Sequence, residues 1–321
     1  MNSNSPLLTI GIPTWNRKDE LRACLDLVLP QAAAEQGVEV MVCDNASKDD
    51  TQSFMNGLVP LYPNLRYERN QTNIGSERNF IEVLRRGAGT YVWILSDDDF
   101  LAEGAVRAVL QIIRTHQPSY ICMNYAYCDS RRRITALQPD RRYMVKQDVA
   151  HADLNRTLLI RNHWLGFLSC SIYRRELLDF DDLFANREKV PHWIQAYMTA
   201  QVLARGKDGY HSSFLAVYCR MGNDRTDSTS FIAYMPDAYA FIARRFHVDR
   251  TTEAAVNKGI RETFLSFPNF LAYRARGLWP SPLILPFHYR IVGGLFPRFL
   301  LVWLRGAYRL FRSRSTLPNE G

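Results

Sequence analysis

Residues 90–99 read TYVWILSDDD, a run of mostly apolar residues that ends in three consecutive aspartates. A short, continuous apolar run is typical of a strand that is buried on both faces of a sheet. Two earlier segments, LLTIGIP from residue 7 and VEVMVCD from residue 38, have the same strand-like character. The sequence therefore predicts a set of buried strands, one of which carries three carboxylates at its carboxyl end.

Helix-like segments separate these strands over the first 125 residues. DELRACLDLVLPQAAAEQG, from residue 19, places four apolar side chains on one helical face, and residues 75–87 and 103–116 also have helical spacing. Alternation of strands and helices is typical of a sheet that helices cover. We therefore predict an α/β fold with a mostly parallel central sheet and helices on both faces.

Polar residues follow each predicted strand. Pro13, Thr14 and Asn16 follow the first strand, Asp44 ends the second, and the three aspartates follow the TYVWIL strand. In a parallel sheet the carboxyl ends share one edge, and open α/β folds bind ligands there. The clusters together predict a ligand site, although singly Asn16 could cap the next helix and Asp44 could form an Asx-turn.

The aspartate cluster predicts a metal site. Three adjacent carboxylates repel one another unless a cation lies between them. Oxygen ligands suit Mg²⁺ or Mn²⁺, and Mg²⁺ is usually held by one or two carboxylates together with substrate phosphates. Asp97, Asp98 and Asp99 are therefore candidate ligands for a metal-bound diphosphate. The alternative is an acidic turn that caps the helix beginning near Glu103.

Several classes of protein are disfavoured by composition and motifs. The chain has 321 residues, 47% of them hydrophobic, which excludes wholesale disorder. Its six cysteines contain no C-x-x-C pair, which argues against a zinc site and a disulfide scaffold. Glycine-rich dinucleotide and P-loop motifs do not occur. No basic region precedes the first apolar run, so we expect no signal peptide and a reducing, cytoplasmic location.

The net charge of +8 is concentrated near the C terminus. Residues 263–319 contain eight arginines and no Asp, Glu or Lys, whereas the rest of the chain is balanced. Prolines and arginines interrupt the Trp-, Phe- and Leu-rich runs of residues 276–321, so a membrane-spanning helix is not expected. The pattern predicts an amphipathic segment on an anionic membrane surface. The alternative is the solvated face of an ordinary helix. Nucleic acid is not an expected partner.

Four motifs, IPTWNR, VMVCDNASKDDT, NQTNIGSERNF and ILSDDDF, occur in this order and together resemble a family 2 glycosyltransferase of the GT-A fold. The resemblance is strong over residues 7–100 and weaker to about residue 230. It implies transfer of a sugar from a nucleotide-diphosphate donor, with Mn²⁺ or Mg²⁺ as cofactor. The donor-binding residues that it implies are Pro13, Thr14, Asn16, Asp44, Asn73, Arg78 and Asp97, of which Asp44 and Arg78 contact the nucleobase.

The second half of the chain departs from the family pattern. GFLSCSIYRRELL, residues 166–178, resembles the acceptor segment of relatives, many of which carry an acidic pair with a catalytic Asp before a tryptophan. Here the residues before Trp193 are Val190, Pro191 and His192. This predicts His192 as the catalytic base, with Asp98 and Asp99 at the metal, because a neutral imidazole can accept a hydroxyl proton. The alternative is that His192 only binds the acceptor or packs beside Trp193.

The His substitution resembles abequosyltransferase-like members of the bacterial O-antigen branch, and it leaves the inverting or retaining outcome open. Arg220 and Arg225 precede a polar run, Thr226 to Ser230, and in relatives a basic or polar loop here closes over the diphosphate, where Arg220 or Arg225 would stabilise the leaving group. A surface loop without a catalytic part is the alternative. The implied acceptor is a polyprenyl-diphosphate-linked oligosaccharide at the inner face of the cell membrane.

We expect three parts in the chain. Residues 1–230 form the transferase domain, which has a nucleotide-sugar half (1–100) and an acceptor half (101–230). Residues 231–275 form a helical extension, and residues 276–321 form the membrane-associating tail. Two other functions remain open: a sugar nucleotidyltransferase, although no Gly-rich loop precedes Pro13, and a non-catalytic, membrane-bound sugar-nucleotide-binding protein.

Overall fold

A computed structural model of the chain describes residues 5–128, 134–136, 144–161, 165, 167–206, 208–220 and 228–264. The predicted tail, residues 276–321, and the predicted site residue Arg225 lie outside the described residues. The three-part division of the chain stays a prediction.

The strands of the described residues belong to one sheet. They are β1 (Leu8–Thr14), β2 (Val38–Asp44), β3 (Leu65–Arg69), β4 (Tyr91–Ile94), β5 (Phe100–Leu101), β6 (Tyr120–Cys128), β7 (Ile134–Ala136), β8 (Val149–Ala152), β9 (Ser171–Arg174) and β10 (Gly209–Arg220). Their spatial order is β3-β2-β1-β4-β9-β6-β10-β5, with β7 paired to β6 and β8 paired to β10.

The prediction of a mostly parallel sheet is correct for the first half of the chain and wrong for the second. The β1–β2, β2–β3 and β1–β4 pairs are parallel, and so is β6–β10. However, β9 is antiparallel to both β4 and β6, and β5, β7 and β8 also pair antiparallel. An apolar run specifies that a strand is buried, but it carries no information on the direction in which the strand enters the sheet. The sheet is therefore mixed.

The helices of the described residues lie between and after these strands. They are α1 (Lys18–Ala33), α2 (Thr51–Leu58), α3 (Ser76–Arg86), α4 (Ala105–His116), α5 (Leu154–Arg161), α6 (Phe180–Asn186), α7 (Ile194–Gly206), α8 (Ser228–Arg245) and α9 (Arg250–Phe264). α1, α3 and α4 begin and end close to where the spacing of apolar residues predicts them.

The core lies at the centre of the sheet. Every residue of β1 and β4 is buried, and since successive side chains point to opposite faces, the sheet is covered on both sides there. Gly11 allows α3 to approach β1 closely, because a Cβ at this position would collide with the Val83 side chain. This packing fixes the helix that carries the predicted Arg78 against the strand that carries Thr14.

The C-terminal helices pack on the second half of the domain. α8 contacts α7, and α9 contacts α5 and α8. Trp193 at the start of α7 is buried, and its ring lies 5.6 Å from that of Tyr239 on α8. No helix in the part of the chain that the structure describes combines the length and apolar character that a bilayer crossing requires.

Candidate active site

The carboxyl ends of β1, β2 and β4 form one edge of the sheet, because these strands are parallel neighbours. Thr14 and Asp44 pair across the β1–β2 ladder, so the residues that follow both strands meet there. The last residue of β10, Arg220, reaches the same place, and its backbone N–H donates to Asp99 Oδ1 at 3.2 Å. The polar clusters that the sequence places after three strands therefore converge, and a fourth strand joins them.

Asn16 connects the loop after β1 to the loop after β2. Its backbone N–H donates to Ser47 Oγ at 2.9 Å, and its Oδ1 accepts from the Lys48 N–H at 2.6 Å. It adopts a left-handed backbone conformation (φ 53°), which asparagine tolerates better than most residues. No side chain caps the N terminus of α1, so Asn16 joins loops instead of capping that helix. The preceding Pro13 is buried within β1.

Asp44 is fully buried and engaged at both oxygens. Its Oδ1 accepts from the Ser47 N–H, three residues later, at 2.8 Å, one residue further along than in the Asx-turn that the sequence left open. Its Oδ2 accepts from the Tyr67 hydroxyl at 2.7 Å and lies 3.3 Å from Arg69 Nε. Burial and the Asp44 carboxylate raise the pKa of Tyr67, so the phenol stays protonated and donates to this carboxylate.

An amide network joins the end of β2 to the segment before α3. Asn45 donates to Asn73 Oδ1 at 2.8 Å and accepts from Asn70 at 3.1 Å, and Asn70 also donates to Asn79 Oδ1 of α3 at 3.0 Å. The predicted Asn73 therefore holds the turn that leads into α3. Arg78 is exposed on the first turn of this helix, so its side chain is accessible to a ligand.

Asp97 and Asp98 share one cation, the guanidinium of Arg17. Arg17 Nη1 lies 3.0 Å from Asp97 Oδ1 and 2.9 Å from Asp98 Oδ2. The remaining oxygens accept from hydroxyls: Thr14 Oγ1 to Asp97 Oδ2 at 2.7 Å, and Ser96 Oγ to Asp98 Oδ1 at 2.6 Å. Burial raises the pKa of Asp97 to about 6, an effect that the Arg17 charge opposes.

Asp99 is buried and is held by groups other than Arg17. Its Oδ2 accepts from Ser169 Oγ, and its Oδ1 accepts from the Arg220 N–H. Burial, with the Asp98 charge as a smaller contribution, raises the pKa of Asp99 to about 7. Asp99 thus links the aspartate turn to the segment before β9 and to the end of β10.

These contacts test whether the turn suits a divalent ion. Among the described residues, no three His, Cys, Asp or Glu side chains are grouped to hold a metal ion. Mg²⁺ needs only one or two carboxylates when phosphates complete its shell. Asp97 and Asp98 fit that requirement, because they already hold a positive group between two of their oxygens. That all three aspartates bind the metal stays a prediction.

Arg220 presents unsatisfied donors beside this turn. Its Nε and Nη2 are buried and have no hydrogen-bond acceptor among the described residues. Glu20 Oε1 lies 3.6 Å from Nη2, close enough for an ion pair but too far for a good hydrogen bond. A buried guanidinium with unpaired N–H groups favours an anionic ligand, since unsatisfied buried donors are costly.

His192 lies at the surface beside α3, two residues before α7 begins. Its backbone N–H donates to the Glu77 carboxylate on the first turn of α3, and its φ of 65° is left-handed. The His192 ring centroid lies 6.0 Å from that of Tyr234 on α8. The predicted base is therefore joined to the helix that carries Arg78.

Sequence reasoning did not select several residues that hold this site together. Arg17 had a signal, because it ends the IPTWNR motif at the same strand end as the selected residues. Some of the others also lie in the quoted motifs, but their roles could not be selected because each acts through a hydrogen-bond partner elsewhere in the chain. The others are Glu77, Tyr67, Arg69, Asn45, Asn70, Asn79 and Ser169.

Comparison with known proteins identifies the class. The sequence profile of glycosyl transferase family 2 matches residues 9–180, more than half of the chain. The chain therefore belongs to glycosyl transferase family 2, and it is a glycosyltransferase. It is 26% identical to abequosyltransferase RfbV of Salmonella typhimurium over 78% of this chain and 80% of that protein.

Solved structures support the same fold. The chain is similar to TarS 1–349 of S. aureus in complex with UDP-GlcNAc, with a TM-score of 0.59 and 16% identity over 88% of this chain and 77% of that chain. It is also similar to the mannosyltransferase PcManGT of Pyrobaculum calidifontis in complex with GDP-Man and Mn²⁺, with a TM-score of 0.53 and 15% identity. That match covers 99% of this chain and 89% of that chain. These likenesses identify the GT-A fold.

Proposed function

We propose that this chain is a metal-dependent glycosyltransferase that moves a sugar from a nucleotide-diphosphate donor to a lipid-linked oligosaccharide. The acceptor would be a polyprenyl-diphosphate-linked oligosaccharide in O-antigen or related bacterial surface polysaccharide synthesis. The similarity to an abequosyltransferase over most of both chains supports this class of reaction. The GDP-Man and Mn²⁺ bound to a protein of similar fold support the donor type and the metal.

One observation carries the proposal: the buried, unpaired N–H groups of Arg220 lie next to the aspartate turn. A site with carboxylates next to a guanidinium that has unsatisfied N–H groups suits a diphosphate that a cation accompanies. The carboxylates would bind the cation, while Arg220 donates to phosphoryl oxygens in charge-assisted hydrogen bonds. Arg225 would assist from the same loop.

The nucleoside would lie against the strand ends that Asn16 joins. Thr14 and Pro13 shape the floor of this region, and Asp44 and Arg78 would contact the base, with Asn73 holding the intervening turn. Both carboxylate oxygens of Asp44 already accept hydrogen bonds from the protein. To contact the base, one of these oxygens would have to accept a second hydrogen bond, or the base would have to replace the Tyr67 hydroxyl. Arg78 is exposed and needs no such exchange.

The metal would be held by Asp98 with Asp97, and Asp99 would position the turn through Ser169 and Arg220. When bound there, Mn²⁺ or Mg²⁺ would neutralise charge that develops on the departing nucleoside diphosphate. Arg220 would add hydrogen bonds to the same leaving group. Both contributions strengthen in the transition state, which is the condition for faster turnover.

His192 would accept the proton of the attacking acceptor hydroxyl if the reaction inverts the sugar. A neutral imidazole can accept a hydroxyl proton in this way. The side chain is exposed at the end of α3, so an acceptor can reach it from solvent. Glu77 would hold the backbone of His192 in its left-handed conformation.

The arginine-rich residues 276–321 would lie on an anionic membrane surface and bring the active site to the acceptor lipid, at the cytoplasmic face of the cell membrane. This rests on the pattern of the sequence. Replacing Arg305, Arg309 and Arg312 with Gln in the full chain should weaken co-sedimentation with anionic liposomes. Unchanged sedimentation would contradict the proposed attachment.

A two-stage experiment tests the proposed activity. A thermal-shift screen of UDP, GDP, CDP and dTDP with and without Mn²⁺ identifies the nucleotide, because a ligand of the folded state raises its melting temperature. The matching nucleotide sugar is then incubated with polyprenyl-diphosphate oligosaccharides. A glycosylated lipid supports the proposal. Diphosphate release from a sugar phosphate and a nucleoside triphosphate would indicate a nucleotidyltransferase, and binding without turnover would indicate a non-catalytic protein.

A further inference from the structure

All six carboxylate oxygens of the aspartate turn accept from protein donors. Asp97 accepts from Thr14 Oγ1 and Arg17 Nη1, and Asp98 accepts from Ser96 Oγ and the same Arg17 nitrogen. The two oxygens of Asp99 accept from Ser169 Oγ and the Arg220 backbone. An ion bound between Asp97 Oδ1 and Asp98 Oδ2 would take the position of Arg17 Nη1, which lies within hydrogen-bond distance of both oxygens.

Arg17 is the donor best placed to leave. Thr14 is buried in β1, Ser169 is buried, and the Arg220 donor belongs to the backbone of β10. Ser96 Oγ contacts only Asp98, whereas Arg17 is a long side chain at the start of α1 that is 19% exposed and contacts both Asp97 and Asp98. Its departure removes its contacts with one oxygen of Asp97 and one of Asp98 without disturbing a strand.

Charge favours both Arg17 and a divalent ion at this position. Two carboxylates at this separation repel each other, and burial makes each charge more costly. One guanidinium contributes one positive charge to both, whereas a divalent ion contributes two. The exchange of Arg17 for the ion is therefore favourable at the carboxylates, provided that the released guanidinium finds another anion.

We infer that Arg17 is an internal competitor for the metal position, which it leaves when the ion and the donor diphosphate bind. This rests on the proposed function, because the diphosphate supplies both the missing metal ligands and a new acceptor for the guanidinium. Arginine is suited to that transfer, since its planar fork pairs with phosphate as well as with carboxylate. Arg17 is thus a positioning residue that couples metal binding to donor binding.

The coupling has a measurable consequence in the absence of donor. The wild-type chain must break two charge-assisted hydrogen bonds to bind Mn²⁺ alone, so its affinity for the free ion is low. A neutral residue at position 17 removes the competitor. The variant should therefore bind Mn²⁺ alone more tightly than wild type does. A nucleoside diphosphate should increase the Mn²⁺ affinity of the variant by a smaller factor than it increases that of wild type.

The experiment is a Mn²⁺ titration of the full chain, followed by the EPR signal of free Mn²⁺, without and with the nucleoside diphosphate that the thermal screen selects. Arg17→Gln is compared with wild type and with Arg22→Ala. Arg22 lies one turn further along α1, and its guanidinium packs over the Phe54 ring, 5.0 Å from the centroid. We expect Arg17→Gln to bind Mn²⁺ alone about tenfold more tightly than wild type, because a charge-assisted hydrogen bond no longer competes. Arg22→Ala should match wild type.

Arg17→Lys is the second variant, in case the Gln variant does not fold. It keeps a positive charge near the carboxylates but lacks the fork geometry, so its Mn²⁺ affinity should lie between those of wild type and Arg17→Gln. If both Arg17 variants bind Mn²⁺ no more tightly than wild type does, Arg17 does not compete with the ion. The proposed function would still hold in that case, provided that the wild-type chain transfers the sugar. If no protein binds Mn²⁺ even with the nucleotide, both the metal site and the competition are overturned.

Discussion

The backbone N–H of His192 donates a hydrogen bond to the carboxylate of Glu77, which lies 115 residues earlier in the chain. Glu77 is on the first turn of α3, in the half that carries the predicted nucleotide residues, whereas His192 precedes α7 in the predicted acceptor half. This bond joins the two halves on the first turn of the helix that carries Arg78. It also fixes a left-handed residue, a conformation that persists only where its surroundings hold it.

Glu77→Ala should lower turnover while leaving the affinity for the donor nucleotide nearly unchanged. The reason is that His192 loses its anchor, and a small displacement of a catalytic group costs about tenfold or more in rate. Glu77→Gln keeps an acceptor oxygen and should retain most of the activity. Steady-state kcat and KM, with nucleotide affinity by calorimetry, check this. Equal kcat in wild type and Glu77→Ala would contradict the positioning role.

His192→Ala should reduce kcat by about 10²–10⁴-fold, the contribution typical of a general base, with donor binding retained. His247→Ala is a matched control, because His247 is also exposed and also has a left-handed backbone (φ 54°). A loss that is shared by both variants would reflect the backbone and not the imidazole. Unchanged turnover in His192→Ala would exclude it as the base.

Arg78→Ala should weaken binding of the donor nucleotide by about ten- to a hundredfold, the cost of a lost hydrogen bond to a charged group. Its thermal stability should stay near that of wild type, because the side chain is exposed. Arg85→Ala, an exposed position on the same helix, is the control for a general loss of positive charge. Calorimetric titration with the nucleotide measures both. Equal affinities would remove Arg78 from the nucleotide site.

Asp98→Ala should abolish Mn²⁺-dependent transfer, because Asp98 is the partly exposed carboxylate of the turn and the one best placed to bind an ion that enters from solvent. The fold should persist, as circular dichroism can verify. Asp26→Ala, an exposed carboxylate on α1, should behave as wild type. Transfer is assayed over a range of Mn²⁺ concentrations. Full activity of Asp98→Ala at low Mn²⁺ would refute the assignment.

Ionisation of Asp97 and Asp99 should lower the stability of the metal-free protein as the pH rises from about 4 to above 7. Asp99 has a pKa of about 7 in the folded state, above its ordinary value, because burial disfavours the charged form. A raised folded pKa means that the folded state binds more protons than the unfolded state in this range, so stability falls as pH rises through it. Asp97, with a pKa of about 6, acts in the same direction.

Asp99→Asn removes the larger of these two effects. The variant should melt a few degrees above wild type at pH 8. In a domain of this size, each kcal/mol gained in the free energy of unfolding raises the melting temperature by about 2–4 °C. The difference from wild type should shrink at pH 5, where Asp99 is protonated in the folded state. Thermal melts at both pH values, without metal, measure it. A difference that is independent of pH would show that ionisation of Asp99 is not the cause.

The strand ends could be predicted because their signals are local. An apolar run followed by Thr14, Asp44 or the aspartates marks a buried strand and the polar edge where it ends, and parallel pairing of the first strands places those ends together. The motif order then identifies the family. Composition adds the arginine-rich tail, which needs no tertiary information to be recognised.

The partners of these side chains depended on the tertiary structure. Asp99 accepts from Ser169, 70 residues later, only because β9 enters the sheet antiparallel beside β4. Arg17 bridges Asp97 and Asp98 only because β1 and β4 are neighbours. The spacing of residues encodes helix and strand periods over a few turns, whereas strand direction and distant contacts are decided when the whole core packs.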